Sequence, residues 1–438
     1  MKFINYQRAV ISIIVAALGL VLFLPASAQA AIVDADVIDV TGHGLAPMVL
    51  SPDGATLAVA SWGSREVFLI DTTTQDVRSV VVSQTSTDQA GGIAFSPDGT
   101  ALYAVVYGTS VEVINVATAT IIDTLVADAG HATAFDEVWS LSITRDGKTL
   151  MLGRYGLGGV VYFDLENKVV TNIFNPLHAN FSQSSAAWTP PGIVNSQFLS
   201  PDGSTLYMLG YNGAIDAYSA TSDPALQRRI DNASWVLTSA GVAVSGADVQ
   251  VDSSCLTPDG TTVFIPAGYD HDALYKVDLA TGDVLQETTY RTPNAQYYGQ
   301  WGCVVSPDGK SVFVTQPNDI EPSIVVEYST ADLSAAPIIH EIPFTIGSNF
   351  GFTYGITVVG CDAYVSGFYE QIGILRNIGC VPDAPDNNQQ SETAGLELAN
   401  TGSQASAATA FGEIFMSISA VFAGILVVLI TRRARRKG

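Results

Sequence analysis

The sequence IAFSPDGTALYAVVYGTSVEVINVATATIIDTL, residues 93–125, contains four short runs of β-forming residues. Ser96-Pro97-Asp98-Gly99 joins the first two runs. This tetrapeptide is a hairpin signal, because Pro presets φ, Asp accepts a hydrogen bond from the following backbone and Gly tolerates a positive φ. Two further runs follow at residues 111–115 and 120–125. The stretch therefore predicts a four-stranded β-unit.

The same turn returns along the chain at intervals of 45 to 57 residues. The six copies are Ser51-Pro52-Asp53-Gly54, Ser96-Pro97-Asp98-Gly99, Thr144-Arg145-Asp146-Gly147, Ser200-Pro201-Asp202-Gly203, Thr257-Pro258-Asp259-Gly260 and Ser306-Pro307-Asp308-Gly309. A degenerate seventh, Val359-Gly360-Cys361-Asp362, follows the sixth. Repeats of this length with turn signals are typical of propeller blades. We therefore predict an all-β, seven-bladed β-propeller over residues 31–380.

The last repeat is one strand short. It shows strands near residues 354–359, 363–368 and 372–377. A spare strand is present near the start of the chain, at residues 32–40. Pairing this strand with the last blade would close the ring and leave no open sheet edge. The run 111–125 also closely resembles the YVTN-type repeat of seven-bladed propellers. That resemblance covers residues 32–380 and implies the fold, but no particular activity.

The composition excludes some functions. The 438 residues include 42 acidic and 19 basic side chains, a net charge of −23, and 47% of them are hydrophobic. Nucleic-acid binding needs lysines and arginines to neutralise phosphates, so nucleic acid is not an expected partner. A chain with so many hydrophobic residues is not disordered throughout.

Residues 1–30 have the pattern of a secretory signal peptide. Lys2 and Arg8 precede an apolar run at residues 10–24, and Ala28-Gln29-Ala30 is a small-x-small cleavage site. The apolar run is short for a membrane span. We expect export and cleavage after Ala30. An uncleaved N-terminal membrane anchor is the alternative.

Residues 398–438 carry a second membrane signal. An apolar run at residues 414–430 can just cross the hydrocarbon core as a helix, and the basic cluster at residues 432–437 should stay cytoplasmic. Immediately before the run stand Leu398, Ala399, Asn400, Thr401 and Gly402. The order of pentapeptide, apolar span and basic tail resembles the cell-wall sorting signal (LPxTG-like) of Gram-positive surface proteins.

This resemblance implies a covalent anchor. In that family a sortase cysteine attacks the Thr–Gly bond, and the acyl-enzyme is passed to an amine of a peptidoglycan precursor. Thr401 would then be amide-linked to the wall, and the chain from Gly402 onward would be removed. The usual motif has Pro where this chain has Ala399. Such LAxTG variants resemble those of high-GC Gram-positive bacteria, so the sortase class stays open, and a permanent single-span membrane protein is the alternative.

Residues 381–397 separate the body from this signal. They are rich in Pro, Asp, Asn, Gln, Ser and Glu, so we expect a disordered linker. Without Lys2, Arg8, the five basic tail residues and Glu413, residues 31–402 keep 12 basic and 41 acidic side chains, a net charge of −29. Such a body should repel polyanionic wall polymers, so its retention at the cell needs an anchor.

The four cysteines are Cys255, Cys303, Cys361 and Cys380, and export permits disulfides. Closeness in sequence favours a Cys361–Cys380 bond. Cys255 and Cys303 precede the fifth and sixth turns by two and three residues, so a bond could join neighbouring inner strands, although the one-residue offset counts against it. Four buried free thiols are the alternative. Without a CxxC motif or a Cys/His cluster, zinc is not expected.

No catalytic motif is present, since the sequence contains no HExxH, GxSxG or phosphate loop. Propellers usually bind ligands where the segments leading into the innermost strands converge on the channel. The candidate ligand-binding residues in those segments are His43, Asp88, Asp136, Glu137, Asn195, Asp252, Gln300, Trp301 and Tyr354. They could stack on sugars, hydrogen-bond hydroxyls or hold a cation such as calcium. A polar, water-filled channel mouth is the alternative, and the five tryptophans are expected mainly to pack between blades.

Two main classes of function stay open. The favoured one is a wall-anchored binding or adhesion module, whose partners are sortase, peptidoglycan and an unidentified extracellular glycan, protein or cation. The other is an extracellular enzyme, since some YVTN-like propellers resemble lactonases or quinoprotein dehydrogenase subunits. Its titratable groups would be Asp136, Glu137 and His43. A structural wall spacer is a third possibility. No catalytic residue, cofactor or metal ligand is assigned.

Overall fold

The structure is a computed structural model. It describes residues 35–42, 44–84, 90–136, 138–154, 159–174, 196–209, 215–220, 226–230, 254–267, 273–290, 300, 302–316, 323–342, 344, 353–367 and 370–378. The chain divides after Val381 into two units, and every described residue belongs to the first.

In this described part, 28 strands form seven four-stranded antiparallel sheets, which confirms the seven-bladed, all-β propeller. We number the blades in chain order, and the strands of blades 1 to 6 follow one another from the innermost to the outermost position. Blades 1 and 2 consist of β2 (Leu45–Leu50), β3 (Thr56–Ser61), β4 (Glu66–Asp71) and β5 (Val77–Val81), and of β6 (Ala90–Phe95), β7 (Ala101–Val106), β8 (Ser110–Asn115) and β9 (Thr120–Leu125). Blades 3 and 4 consist of β10 (Val138–Ile143), β11 (Thr149–Arg154), β12 (Val160–Asp164) and β13 (Val169–Phe174), and of β14 (Ser196–Leu199), β15 (Thr205–Leu209), β16 (Ile215–Ser219) and β17 (Leu226–Ile230). Blades 5 and 6 consist of β18 (Cys255–Leu256), β19 (Thr262–Ala267), β20 (Ala273–Asp278) and β21 (Val284–Thr289), and of β22 (Cys303–Val305), β23 (Ser311–Gln316), β24 (Ile324–Ser329) and β25 (Ile338–Glu341). Blade 7 consists of β26 (Thr353–Val359), β27 (Asp362–Gly367), β28 (Gln371–Leu375) and β1 (Ala35–Asp39).

The repeated turns join the first and second strands of blades 1 to 6. In the first turn, Ser51 Oγ donates to Asp53 Oδ1 at 2.6 Å and accepts from the Thr56 N–H at 2.9 Å. Asp53 also accepts from the Ala55 N–H at 3.0 Å, and Gly54 has a φ of 72°. The hydroxyl-to-carboxylate bond recurs in the other five turns at 2.5–2.7 Å. This bond explains why every copy begins with Ser or Thr.

Successive turns also contact one another around the ring. A Cβ atom placed on Gly99 would lie 3.5 Å from Cδ of Pro52 in the preceding turn, and one placed on Gly260 would lie 2.7 Å from Cδ of Pro201. Gly260 is therefore required by its neighbour as well as by its φ of 72°. The same relation joins Gly147 to Pro97, Gly203 to Arg145 and Gly309 to Pro258.

Hydrophobic clusters fill the space between the blades. One cluster lies at each of the seven contacts between neighbouring blades, including the contact of blade 7 with blade 1. In that last cluster, Tyr364 and Ile372 of blade 7 pack with Leu45 and Leu57 of blade 1. Burial of one such side chain contributes about 1.5–3 kcal/mol, so packing between blades is a major source of stability.

Strand β1 pairs antiparallel with β28 and is the fourth strand of blade 7. Polar contacts support this pairing. The Arg376 guanidinium donates from Nη1 to Asp362 at 2.6 Å and from Nη2 to Asp36 at 3.3 Å. Gln371 Nε2 donates to Asp39 Oδ1 at 2.8 Å. The N-terminal strand is therefore tied to β27 and β28 by side chains as well as by backbone.

A disulfide joins Cys255 on β18 to Cys303 on β22, with a Cα–Cα distance of 5.6 Å. The predicted bond between neighbouring inner strands is confirmed, and the objection drawn from the one-residue offset was wrong. Inner strands of different blades belong to different sheets, so no shared hydrogen-bond register fixes which side chains meet. Free thiols are contradicted for the described cysteines. Cys361 is also disulfide-bonded, and its predicted partner Cys380 lies outside the described residues.

The predictions for the two ends of the chain lie outside the described residues. They are the signal peptide at residues 1–30, the linker at residues 381–397 and the sorting signal at residues 398–438. Within the part that is described, no helix has the length and apolar character to cross a membrane.

Candidate functional site

The ring has two different ends. We call the end that carries the six repeated turns the turn end, and the opposite end, where the chain enters each innermost strand, the entry end. Because successive strands are antiparallel, the loops from second to third strands also lie at the entry end, as residues 62–65 do in blade 1. The predicted ligand-binding segments belong to this entry end.

A β-bulge interrupts the innermost strand near the entry end in four blades. The register of β2, β6, β10 and β26 shifts at residues 46–47, 91–92, 139 and 354–355. Each bulge contains the residue five positions before the first residue of the following turn. A bulge leaves a residue outside the hydrogen-bond ladder and re-aims its side chain. In sequence the same position holds Ala46, Gly91, Trp139, Asn195, Asp252, Trp301 and Tyr354.

Blade 2 has two glycines at its bulge, and they let blade 3 approach closely. A Cβ atom on Gly91 would lie 3.0 Å from the carbonyl oxygen of Val138, and one on Gly92 would lie 3.0 Å from that of Trp139. A larger residue at either position would push β10 away. The glycines therefore set the distance at which the start of β10 passes β6.

Trp139 and Trp62 form an edge-to-face pair between blades 3 and 1. Their ring centroids are 5.0 Å apart and their planes meet at 77°. Trp62 opens the loop 62–65, and its backbone N–H donates to the Gly44 carbonyl at 3.0 Å. Trp62 is half-buried, whereas Trp139 is 41% exposed. We call these two side chains the indole pair.

The exposure of Trp139 is unusual in its place. Among the described residues nine large hydrophobic side chains are exposed, and eight of them lie on or directly after an outermost strand. Trp139 is the ninth, and it lies on an innermost strand. This differs from the packing role expected of the tryptophans. An alignment of the repeats on their turns could have identified Trp139 as a candidate ligand-binding residue. It shares its position with four residues that were predicted to bind ligand, Asn195, Asp252, Trp301 and Tyr354.

Polar groups flank the indole pair along the chain. Asp136 lies three residues before Trp139 and is half-buried. Ser140, the next residue, has a buried Oγ with no hydrogen-bond partner in the structure. Arg65 closes the loop that Trp62 opens, and Arg154 lies opposite Val138 on β11. Of these groups Asp136 and Arg65 are partly exposed, whereas Ser140 Oγ and the Arg154 side chain are buried.

Of the nine predicted ligand-binding residues, the structure describes the side chains of two. Asp136 lies beside the indole pair in sequence. Gln300 is fully buried: its Nε2 donates to Tyr328 Oη at 2.9 Å, and its backbone N–H donates to the Ala267 carbonyl at 3.3 Å. Gln300 thus links blades 5 and 6 internally. Outside the described residues lie His43, Asp88, Glu137, Asn195, Asp252, Trp301 and the side chain of Tyr354.

A mostly buried carboxylate lies on the third strand of blade 6. Glu327 accepts from Ser311 Oγ at 2.7 Å and lies 2.9 Å from His340 Nε2. Burial raises the pKa of Glu327, but the hydrogen bonds from His340 and Ser311 outweigh it and hold that pKa below its usual value. Ser311 bonds to the carboxylate and not to the imidazole, so the geometry differs from that of an activated nucleophile. The network joins three strands of blade 6.

The turn end has carboxylates but no shared site. Each turn aspartate is held by its own turn: a hydrogen bond from the first-position hydroxyl, with further bonds from the following backbone, lowers the pKa of all six. The pKa of Asp202 falls to about 2. Within the described ranges, no group of three His, Cys, Asp or Glu side chains is placed to hold a metal ion.

No family model matches the chain, and no curated protein is significantly similar to it. The fold and the entry-end geometry are therefore the basis for assigning a function.

Proposed function

We propose that this chain is a wall-anchored surface protein whose propeller binds an extracellular ligand at the entry end. The observation that carries the binding function is the indole pair, with Trp139 exposed on an innermost strand. Exposed aromatic side chains are costly in water and are enriched where proteins bind partners. The propeller supplies the rigid frame, because clusters at all seven blade contacts hold the positions of the loops.

The anchoring part of the proposal rests on the sequence pattern. Export would follow cleavage after Ala30, the apolar run at residues 414–430 would hold the precursor in the membrane as a helix, and sortase would then link Thr401 to peptidoglycan. The propeller would be of the YVTN type, closed by the N-terminal strand. An acidic body with a net charge of −29 gains nothing from anionic wall polymers, so a covalent anchor is the consistent means of retention.

Anchoring is tested with cells that make the full chain. Thr401→Ala should move the protein from the covalent wall fraction to the membrane and medium fractions. Asn400→Ala is the matched control, because the third position of the motif is the variable one, and it should leave the protein in the wall. Equal wall retention of both variants would refute sortase anchoring.

Binding is tested by a screen of the full chain against glycans and extracellular-matrix proteins, with and without calcium. We expect binding that Trp139→Ala weakens and that Ile122→Ala leaves unchanged. Ile122 is a suitable control because it is 59% exposed on an outermost strand, away from the entry end. If Trp139→Ala and Ile122→Ala behave alike toward every ligand, the entry end is not the binding site.

A further inference from the structure

We infer that the indole pair is the stacking platform of a carbohydrate subsite, which takes a neutral pyranose ring against the exposed part of the Trp139 indole. This inference rests on the proposed binding function and names the ligand class. The first step is geometric. The two rings meet at 77° with their centroids 5.0 Å apart, and Trp139 is 41% exposed, so part of its indole is open to solvent.

The second step is preorganisation. Trp139 lies at a bulge of β10. There β10 passes so close to β6 that a Cβ atom placed on Gly91 or Gly92 would lie 3.0 Å from a carbonyl oxygen of β10. The backbone of Trp62 is held by its hydrogen bond to Gly44, and its ring is held by the contact with Trp139. Both rings are therefore placed before any ligand arrives, and a fixed ring loses little conformational entropy on binding. The edge-to-face contact further restricts both rings.

The third step is the chemistry of the ligand. An indole face is electron-rich and apolar, and it suits the polarised C–H groups on one face of a sugar ring. A sugar also needs hydrogen-bond donors and acceptors close to the ring. Asp136 and Arg65, which are both partly exposed, supply an acceptor and a donor near the two tryptophans in the chain.

The fourth step concerns charge and hydrogen bonding. A polyanion would be repelled by a body of net charge −29. An organic cation would be attracted by that charge and by indole faces, so tetramethylammonium is included as a competing probe. A hydroxyl-bearing ligand can both donate to Asp136 and accept from Arg65, whereas tetramethylammonium can do neither. This pairing of an acceptor with a donor favours a neutral carbohydrate.

The experiment uses the full chain, purified in a polyoxyethylene detergent that carries no sugar. The probes are neutral hexasaccharides of glucose, N-acetylglucosamine, mannose and galactose, with tetramethylammonium chloride as the cation probe. Binding is measured by calorimetry and by tryptophan fluorescence. We expect at least one hexasaccharide to bind, and Trp139→Ala to weaken that binding at least about tenfold, as loss of a central aromatic contact does.

Three variants separate stacking from folding. Trp139→Phe keeps an aromatic face and should retain part of the affinity, whereas Trp62→Ala should weaken binding by removing the support of Trp139. Ile122→Ala should bind like the unchanged protein. The unfolding midpoint of each variant is measured. If Trp139→Ala unfolds at a lower denaturant concentration than the unchanged protein, Trp139→Phe takes its place in the binding comparison.

The outcomes distinguish the ligand class from the function. If no hexasaccharide binds while tetramethylammonium does, or if matrix proteins bind in a Trp139-dependent way, the carbohydrate assignment is overturned and the proposed function stands. If hexasaccharides bind equally well to Trp139→Ala and Trp62→Ala, the subsite lies elsewhere and the inference is overturned. If no probe and no matrix protein distinguishes Trp139→Ala from Ile122→Ala, both fail.

Discussion

Replacement of glycine by alanine in the repeated turns should separate the cost of a turn from the cost of a blade contact. Gly54 and Gly260 both have a φ of 72°, so alanine at either position is forced into the left-handed region at a cost of about 1–2 kcal/mol. They differ in their surroundings. A Cβ at Gly54 meets nothing within 4 Å, whereas one at Gly260 lies 2.7 Å from Cδ and 2.9 Å from Cγ of Pro201.

The extra contact sets the expected difference. Gly54→Ala should lower the free energy of unfolding by about 1–2 kcal/mol, and Gly260→Ala by a further 1–3 kcal/mol, roughly the cost of overpacking a tight contact. Gly99 is a graded control. Its Cβ would lie 3.5 Å from Pro52 Cδ, an ordinary contact, so Gly99→Ala should resemble Gly54→Ala.

The assay is guanidinium unfolding of the full chain in detergent, followed by tryptophan fluorescence. A double-mutant cycle with Pro201→Ala completes it, because that change removes both atoms that the new Cβ would strike. The cycle should show a coupling of about 1–3 kcal/mol that relieves Gly260→Ala. Equal losses for Gly54→Ala and Gly260→Ala, or a coupling near zero, would show that neighbouring turns do not bear on one another.

Three further predictions concern the rest of the ring. Replacing Cys255 and Cys303 together by serine should lower the free energy of unfolding by about 4 kcal/mol, because the disulfide restricts the unfolded chain over a separation of 48 residues. A loss under about 1 kcal/mol in denaturant titration would contradict this. The pKa values of the six turn aspartates lie below their unfolded value of about 3.9, so their contribution to stability is present above about pH 4 and is lost as pH falls toward about 2. Unfolding midpoints that stay constant from pH 5 to pH 2 would contradict this. Arg376→Gln should lower the free energy of unfolding by about 1–2 kcal/mol and speed hydrogen exchange in β1. The control Lys310→Gln breaks only an exposed pair with Asp308 and should lower it by under about 0.5 kcal/mol. Equal hydrogen exchange in β1 in both variants would show that Arg376 does not hold β1.

The sequence allowed the blades to be predicted because their signals are local. The turn at Ser96-Pro97-Asp98-Gly99 and the alternating residues around it act within one hairpin, and the run 120–125 coincides with β9. The positions of β26, β27 and β28 in blade 7 were also predicted from such runs, and the observed bounds differ by at most two residues.

Contacts between blades could not be predicted in the same way. Whether Cys255 meets Cys303, or whether Gln300 turns inward to Tyr328, depends on how two separate sheets are rotated against each other. No turn signal encodes that rotation. Trp139 shows the same limit, because its surroundings combine the bulge of β10, the glycines of blade 2 and Trp62 of blade 1, which belong to three different blades.

The two ends of the ring differ because their backbone constraints differ. At the turn end each hydroxyl, aspartate and glycine completes a hydrogen-bonded turn, and most of the glycines rest against the turn before, so a change in one copy disturbs its neighbour. At the entry end the bulged residue lies outside the ladder, where its side chain contributes little to strand pairing. That position can therefore hold residues as different as Gly91 and Trp139 in one ring. The side chain at this position can therefore differ from blade to blade without disturbing the strands. In blade 3 it is Trp139, which forms the indole pair with Trp62.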